Sequence, residues 1–87
     1  MNIHITGAIR DEQDKTVAIA DEYVQELGTN LKERLDGQRV EDVLTVIREL
    51  TDAADKHFGG RTGEGAYEFH QLLRLAEQNP TAVLHVM

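Results

Sequence analysis

The chain of 87 residues allows a single small domain, 1–87, burying roughly 60–65% of the surface its unfolded form would expose. Its 16 acidic and 9 basic residues leave a formal charge of −7, which disfavours a surface built to neutralise nucleic-acid phosphates or anionic lipid. There is no cysteine and no serine, so disulfides, thiolate metal sites and the usual acyl-transfer nucleophiles are excluded.

Asn2 to Thr6 alternates as a strand does, with Ile3 and Ile5 on one side and Asn2, His4 and Thr6 on the other. Next, Val17, Ala20, Val24, Leu27, Leu31 and Leu35 recur at three- and four-residue spacings, predicting an amphipathic helix over 11–35 with Asp11 as its cap. Gly28 interrupts this pattern, and Asn30 with Glu33 resembles a capping box. The continuous apolar stripe nevertheless favours one bent helix over two.

Asp36-Gly37 supplies a turn, after which Val40, Val43, Leu44, Ile47, Leu50, Ala54 and Phe58 line a second helix. Lys56 and His57 in its last turn and Gly59 beyond are stop signals. With so short a turn between them, the two helices are expected to form an antiparallel hairpin. A glycine-rich segment, 59–65, precedes a third helix carrying Ala66, Phe69, Leu72, Leu73 and Ala76, which Asn79-Pro80 ends. Ala82 to Met87 then alternates as a second strand, with Ala82, Leu84 and Val86 on one side and Val83, His85 and Met87 on the other.

The expected fold is therefore mostly α with two short terminal β-strands, an α+β class: a helical hairpin, a third helix, and terminal strands paired with each other or across a dimer. Three helices alternating in direction would return the last strand parallel to the first. A two-stranded pair leaves two edges open, so a homodimer joined through the terminal strands is expected. No apolar run approaches the roughly 20 residues of a membrane span, and a cytoplasmic protein is the simplest expectation.

Three features are candidates for function. His4 and His85 can lie side by side on adjacent strands, but without HExxH, HxxxH or cysteine clusters they make no metal site, and no cofactor is expected. In the glycine-rich segment Arg61 can pair with a phosphate or carboxylate and Thr62 can add a hydroxyl. Glu64 opposes an anion there, and the segment lacks the GxxxxGK[ST] pattern. The third feature is the acidic start of the chain, where Asp14, Asp21, Glu22 and Glu26 form a surface for a basic partner. Elsewhere Asp52 lies between Arg48 and Lys56 at four-residue spacings, an ordinary ion-pair ladder. No catalytic constellation is legible.

Met1-Asn2-Ile3-His4-Ile5-Thr6-Gly7 resembles the opening strand of the ribosome-hibernation factors, which an amphipathic helix also follows. The likeness covers about a third of the chain. That family continues with several strands and basic surfaces, whereas this chain continues with further helical patterns and an acidic balance, so no functional residue is carried over.

These features point to a small, acidic, non-enzymatic inhibitor or adaptor that acts through protein–protein contact. One form of this is a phage-type protein occupying the basic groove of a nucleic-acid-binding enzyme. Alternatives are a module binding a nucleotide-like anion at 59–65 and a protein whose role is assembly.

Overall fold

A computed structural model describes residues 1–6, 15–28, 30–58 and 64–87. Strand β1 spans Asn2–Thr6 and β2 spans Lys15–Ala18. Helices α1 (Asp21–Leu27), α2 (Leu31–Leu35), α3 (Val40–His57) and α4 (Glu64–Gln78) follow, and β3 (Val83–Val86) is the last element. The class is α+β: helices packed on one face of a three-stranded antiparallel sheet of order β2-β1-β3.

The terminal strands pair with each other within one chain. Ile3 lies opposite Val86, His4 opposite His85 and Ile5 opposite Leu84. Asn2 and Met87 extend this ladder by exchanging two backbone hydrogen bonds of 2.9 and 2.8 Å. The pairing is antiparallel, in place of the parallel return that counting three helices implies. The physical reason is β2, which adds a reversal of chain direction before the first helix.

β2 is the main departure from the sequence expectation. The single helix over 11–35 is replaced, in its described part, by a strand and two short helices. Val17 and Ile19 are both buried, and that period-two spacing satisfies the sheet, where Val17 pairs with Ile3. The helical stripe left Ile19 out. β-Branched Thr16, Val17 and Ile19 also favour extended backbone over helix. Further on, Gly28 adopts φ 65°, a left-handed conformation that closes α1, and its N–H donates to the Gln25 carbonyl. Asn30 then caps α2, its side-chain oxygen accepting from the Glu33 N–H at 3.2 Å.

The antiparallel helix pair is α3 with α4. Arg48 lies 3.5 Å from Glu77 and Asp55 lies 2.7 Å from His70, so the earlier part of one helix meets the later part of the other. Arg48 thus reaches across to α4, where the sequence suggested a partner in Asp52. Between the helices, Thr51 donates its hydroxyl to the Ile47 carbonyl at 2.8 Å and lies 3.3 Å from the Phe69 carbonyl. One core joins Ile3, Ile5, Val17, Leu84 and Val86 of the sheet to Leu31, Leu35, Ile47, Phe69 and Leu72 of the helices. Asn2, His4, Thr16, Ala18, His85 and Met87 occupy the opposite, open face.

The segment after α2 finishes the β3 edge. Gly37, at φ 76°, donates its N–H to the Leu84 carbonyl at 2.7 Å, and the Leu84 N–H donates to the Gln38 carbonyl at 2.8 Å. Asp36 completes this edge by accepting the Val86 N–H on Oδ1 at 2.9 Å.

Phe69→Ala empties the centre of the helix–sheet core and should cost about 3–5 kcal/mol in urea unfolding. Asp36→Ala should cost about 1–2 kcal/mol by orphaning the Val86 amide, while Asp36→Asn, which keeps an acceptor, should recover most of it. An Asp36→Ala variant as stable as the parent would show that this edge bond contributes nothing.

Candidate functional site

Of the acidic residues expected to meet a partner, Asp21 and Glu22 open α1 and both are exposed. Asp14, the side chain of Glu26, Arg61 and Thr62 lie outside the described residues. Asp21 also has an internal role, since its Oδ1 lies 3.0 Å from the Met1 amino nitrogen. That contact ties the start of α1 to the beginning of β1.

Glu22 borders a surface depression of about 290 Å³ whose other walls are Tyr23, His57 and Phe58. The tertiary fold makes this place by packing α1 against the last turn of α3. Tyr23 and Phe58 meet edge to face, with ring centroids 5.0 Å apart and planes at 69°. His57 stands against Phe58 in the same manner, at 5.0 Å and 85°. Both Tyr23 and Phe58 are half-buried, while Glu22 and His57 are exposed.

An aromatic face is the negative end of a ring quadrupole, and with a carboxylate beside it such a hollow suits a cation. Edge-to-face packing also fixes the two rings, so little order has to be gained on binding. Sequence reasoning placed Phe58 on a core stripe and passed over Tyr23. The available signal was scarcity: the chain has only two tyrosines and two phenylalanines, and two of these four meet here.

The histidines divide into two settings. His4 and His85, which the sequence left free to be neighbours or not, are opposite one another on β1 and β3. His4 Nδ1 lies 2.9 Å from Thr16 Oγ1 on the other neighbouring strand. Among the described residues no group of three or more metal-ligating side chains comes together. His70 instead meets Asp55 across the helix pair, Nε2 to Oδ1 at 2.7 Å. This contact was not anticipated from the sequence. Beside it, Tyr67, His70, Gln71 and Arg74 line a second depression of about 190 Å³, with Tyr67 64% exposed. Those positions follow the three-and-four spacing of one outward stripe of α4.

No protein-family model, curated protein or solved structure matches this chain. Among the described residues no helix is long and apolar enough to cross a membrane.

The Asp55–His70 contact is partly exposed on both sides, so solvent screens it. A double-mutant cycle with Asp55→Ala and His70→Ala should give a coupling below about 1 kcal/mol. A larger value would mark the pair as a principal tie between α3 and α4.

Proposed function

We propose that this chain is a small acidic binding protein, without enzymatic activity, that acts in the cytoplasm by contact with a basic macromolecular partner. It would serve as an inhibitor or adaptor, in the manner of a phage protein that occupies the basic groove of a nucleic-acid-binding enzyme. The observation that carries the reading is the depression formed by Glu22, Tyr23, His57 and Phe58, with Asp21 preceding Glu22 at the start of α1.

An arginine or lysine side chain fits this chemistry from end to end. Its apolar stem lies along the rings, as amphipathic side chains do on apolar surfaces, and its charged head reaches the Glu22 carboxylate. Arginine and aromatic residues are also the side chains that most often dominate the energetics of protein interfaces. The formal charge of −7 adds long-range attraction, raising the encounter rate with a basic surface in a salt-dependent way. Support thus comes from a local feature that selects the cation and a global one that draws it in.

The test is a titration of the isotopically labelled protein with hexa-arginine, followed by amide and aromatic chemical shifts. The largest shifts should fall at Glu22, Tyr23, His57 and Phe58. Because Asp21 is also tied to the Met1 amino group, Glu22→Lys alone isolates the binding contribution, and it should weaken affinity about tenfold. Adding Asp21→Lys should weaken it further while circular dichroism remains native. Shifts spread evenly over every acidic position, or an affinity untouched by Glu22→Lys, would sink the proposal.

A further inference from the structure

We propose that the outer edge of β2 pairs antiparallel with the same edge of a second copy, joining two three-stranded sheets into one six-stranded sheet about a two-fold axis at Val17. The residues of this contact are distinct from those of the cation-binding depression.

Backbone groups along β2 alternate in direction. Met1 and Ile19 exchange two hydrogen bonds, Met1 N to the Ile19 carbonyl at 3.0 Å and Ile19 N to the Met1 carbonyl at 2.9 Å. In an antiparallel ladder such pairs alternate with pairs whose groups face away. Val17 and Lys15 therefore direct their N–H and C=O toward β1, while Thr16 and Ala18 direct theirs outward. Consistently, Asn2, which lies opposite Ala18, sends its own groups to Met87 on the far side.

The two edges of the sheet are treated differently. On β3, the outward groups of Leu84 are bonded to Gly37 and Gln38, and the Val86 N–H is bonded to Asp36. On the β2 side, among the described residues, the cap falls on the residue past the strand, where Glu68 Oε2 accepts the Ala20 N–H at 3.1 Å. Among the described residues nothing supplies partners for the outward backbone groups of Thr16 and Ala18. Natural sheets usually blunt such an edge with proline, a bulge or charged side chains, lysine above all. Lys15–Ala18 contains no proline and no acid, and its one charge, Lys15, sits at the first position of the strand, opposite Ile5, leaving Thr16 and Ala18 uncharged.

Self-pairing also meets the register. A two-fold axis at Val17 sets Thr16 opposite Ala18 of the second copy and Ala18 opposite Thr16 of that copy, and each pair exchanges two hydrogen bonds. The open-face side chains brought together are a hydroxyl and a methyl, with neither bulk nor like charge to oppose them. Both strands are already ordered, so a second copy avoids the entropy cost of straightening a free peptide on the edge. A second copy also continues the sheet on both faces, with its helices lying below as they do here.

The experiment measures mass and amide exchange together on the full chain. Light scattering after size exclusion should show a dimer that dissociates on dilution. Hydrogen exchange at the Thr16 and Ala18 amides should slow about tenfold or more between dilute and concentrated samples. Ala18→Pro should make the protein monomeric, because it removes an outward donor that bonds nothing within the described chain, and edge strands tolerate proline. If that variant loses its native circular dichroism, exchange in the unmodified protein decides. A monomer at every concentration with both amides exchanging freely would overturn the proposal. So would a dimer in which those amides stay unprotected, or protection that appears only when an unrelated extended peptide is added.

Discussion

β1 is the strand on which the other elements depend, because it hydrogen-bonds on both sides and buries its entire inner face. β2 lies along one side and β3 along the other, so the first strand is central and the last is its edge neighbour. Ile3 and Ile5 are fully excluded from solvent between this ladder and the helices. Two strands alone would be marginal, and the third gives the sheet enough apolar surface to hold the α3–α4 pair. Among the described residues a single core cluster forms, so a loose terminus has no second core to compensate for it.

Several of the acids make contacts within the fold. Asp36 and Glu68 close backbone donors at opposite edges of the sheet, Asp21 holds the Met1 amino group, and Glu77 and Asp55 link α3 to α4. These five carboxylates, of the 16 acids in the chain, act as hydrogen-bond acceptors or ion-pair partners within the fold. This narrows the acids left to face a partner. Glu22 stands out because it borders a hollow with aromatic walls.

The candidate site also depends on an interruption in the chain. Gly28 ends α1 after seven residues, so α1 can turn its Tyr23 onto the last turn of α3 without continuing the direction of α2. A single helix through this region would hold Tyr23 and Leu31 on one rigid axis. The short-range conformational freedom of glycine thus shapes a surface built from residues 34 positions apart in the chain, counting from Tyr23 to the His57 that flanks Phe58.

Where local signals were strong and agreed, they were sufficient to specify an element without help from distant residues. The alternation in 2–6 and 82–87, the apolar stripe and terminal charges of α3, and the stop at Asn79-Pro80 are of this kind. Even the His4–His85 juxtaposition follows once the two terminal strands pair. Lys15–Ala18 was different, since Val17 fits a helical stripe and a strand equally well, and the ladder with β1 decides between them. Strand direction depended on the same strand, since counting helices without β2 returns the last strand parallel to the first, and the observed pairing is antiparallel. The depression at Glu22 was out of reach for a further reason: Tyr23 and Phe58 belong to different parts of the chain, and it takes the packing of α1 on α3 to bring their rings to 5.0 Å. Periodicity within a segment records which face is buried, whereas contacts between segments depend on where each segment ends and what it packs against.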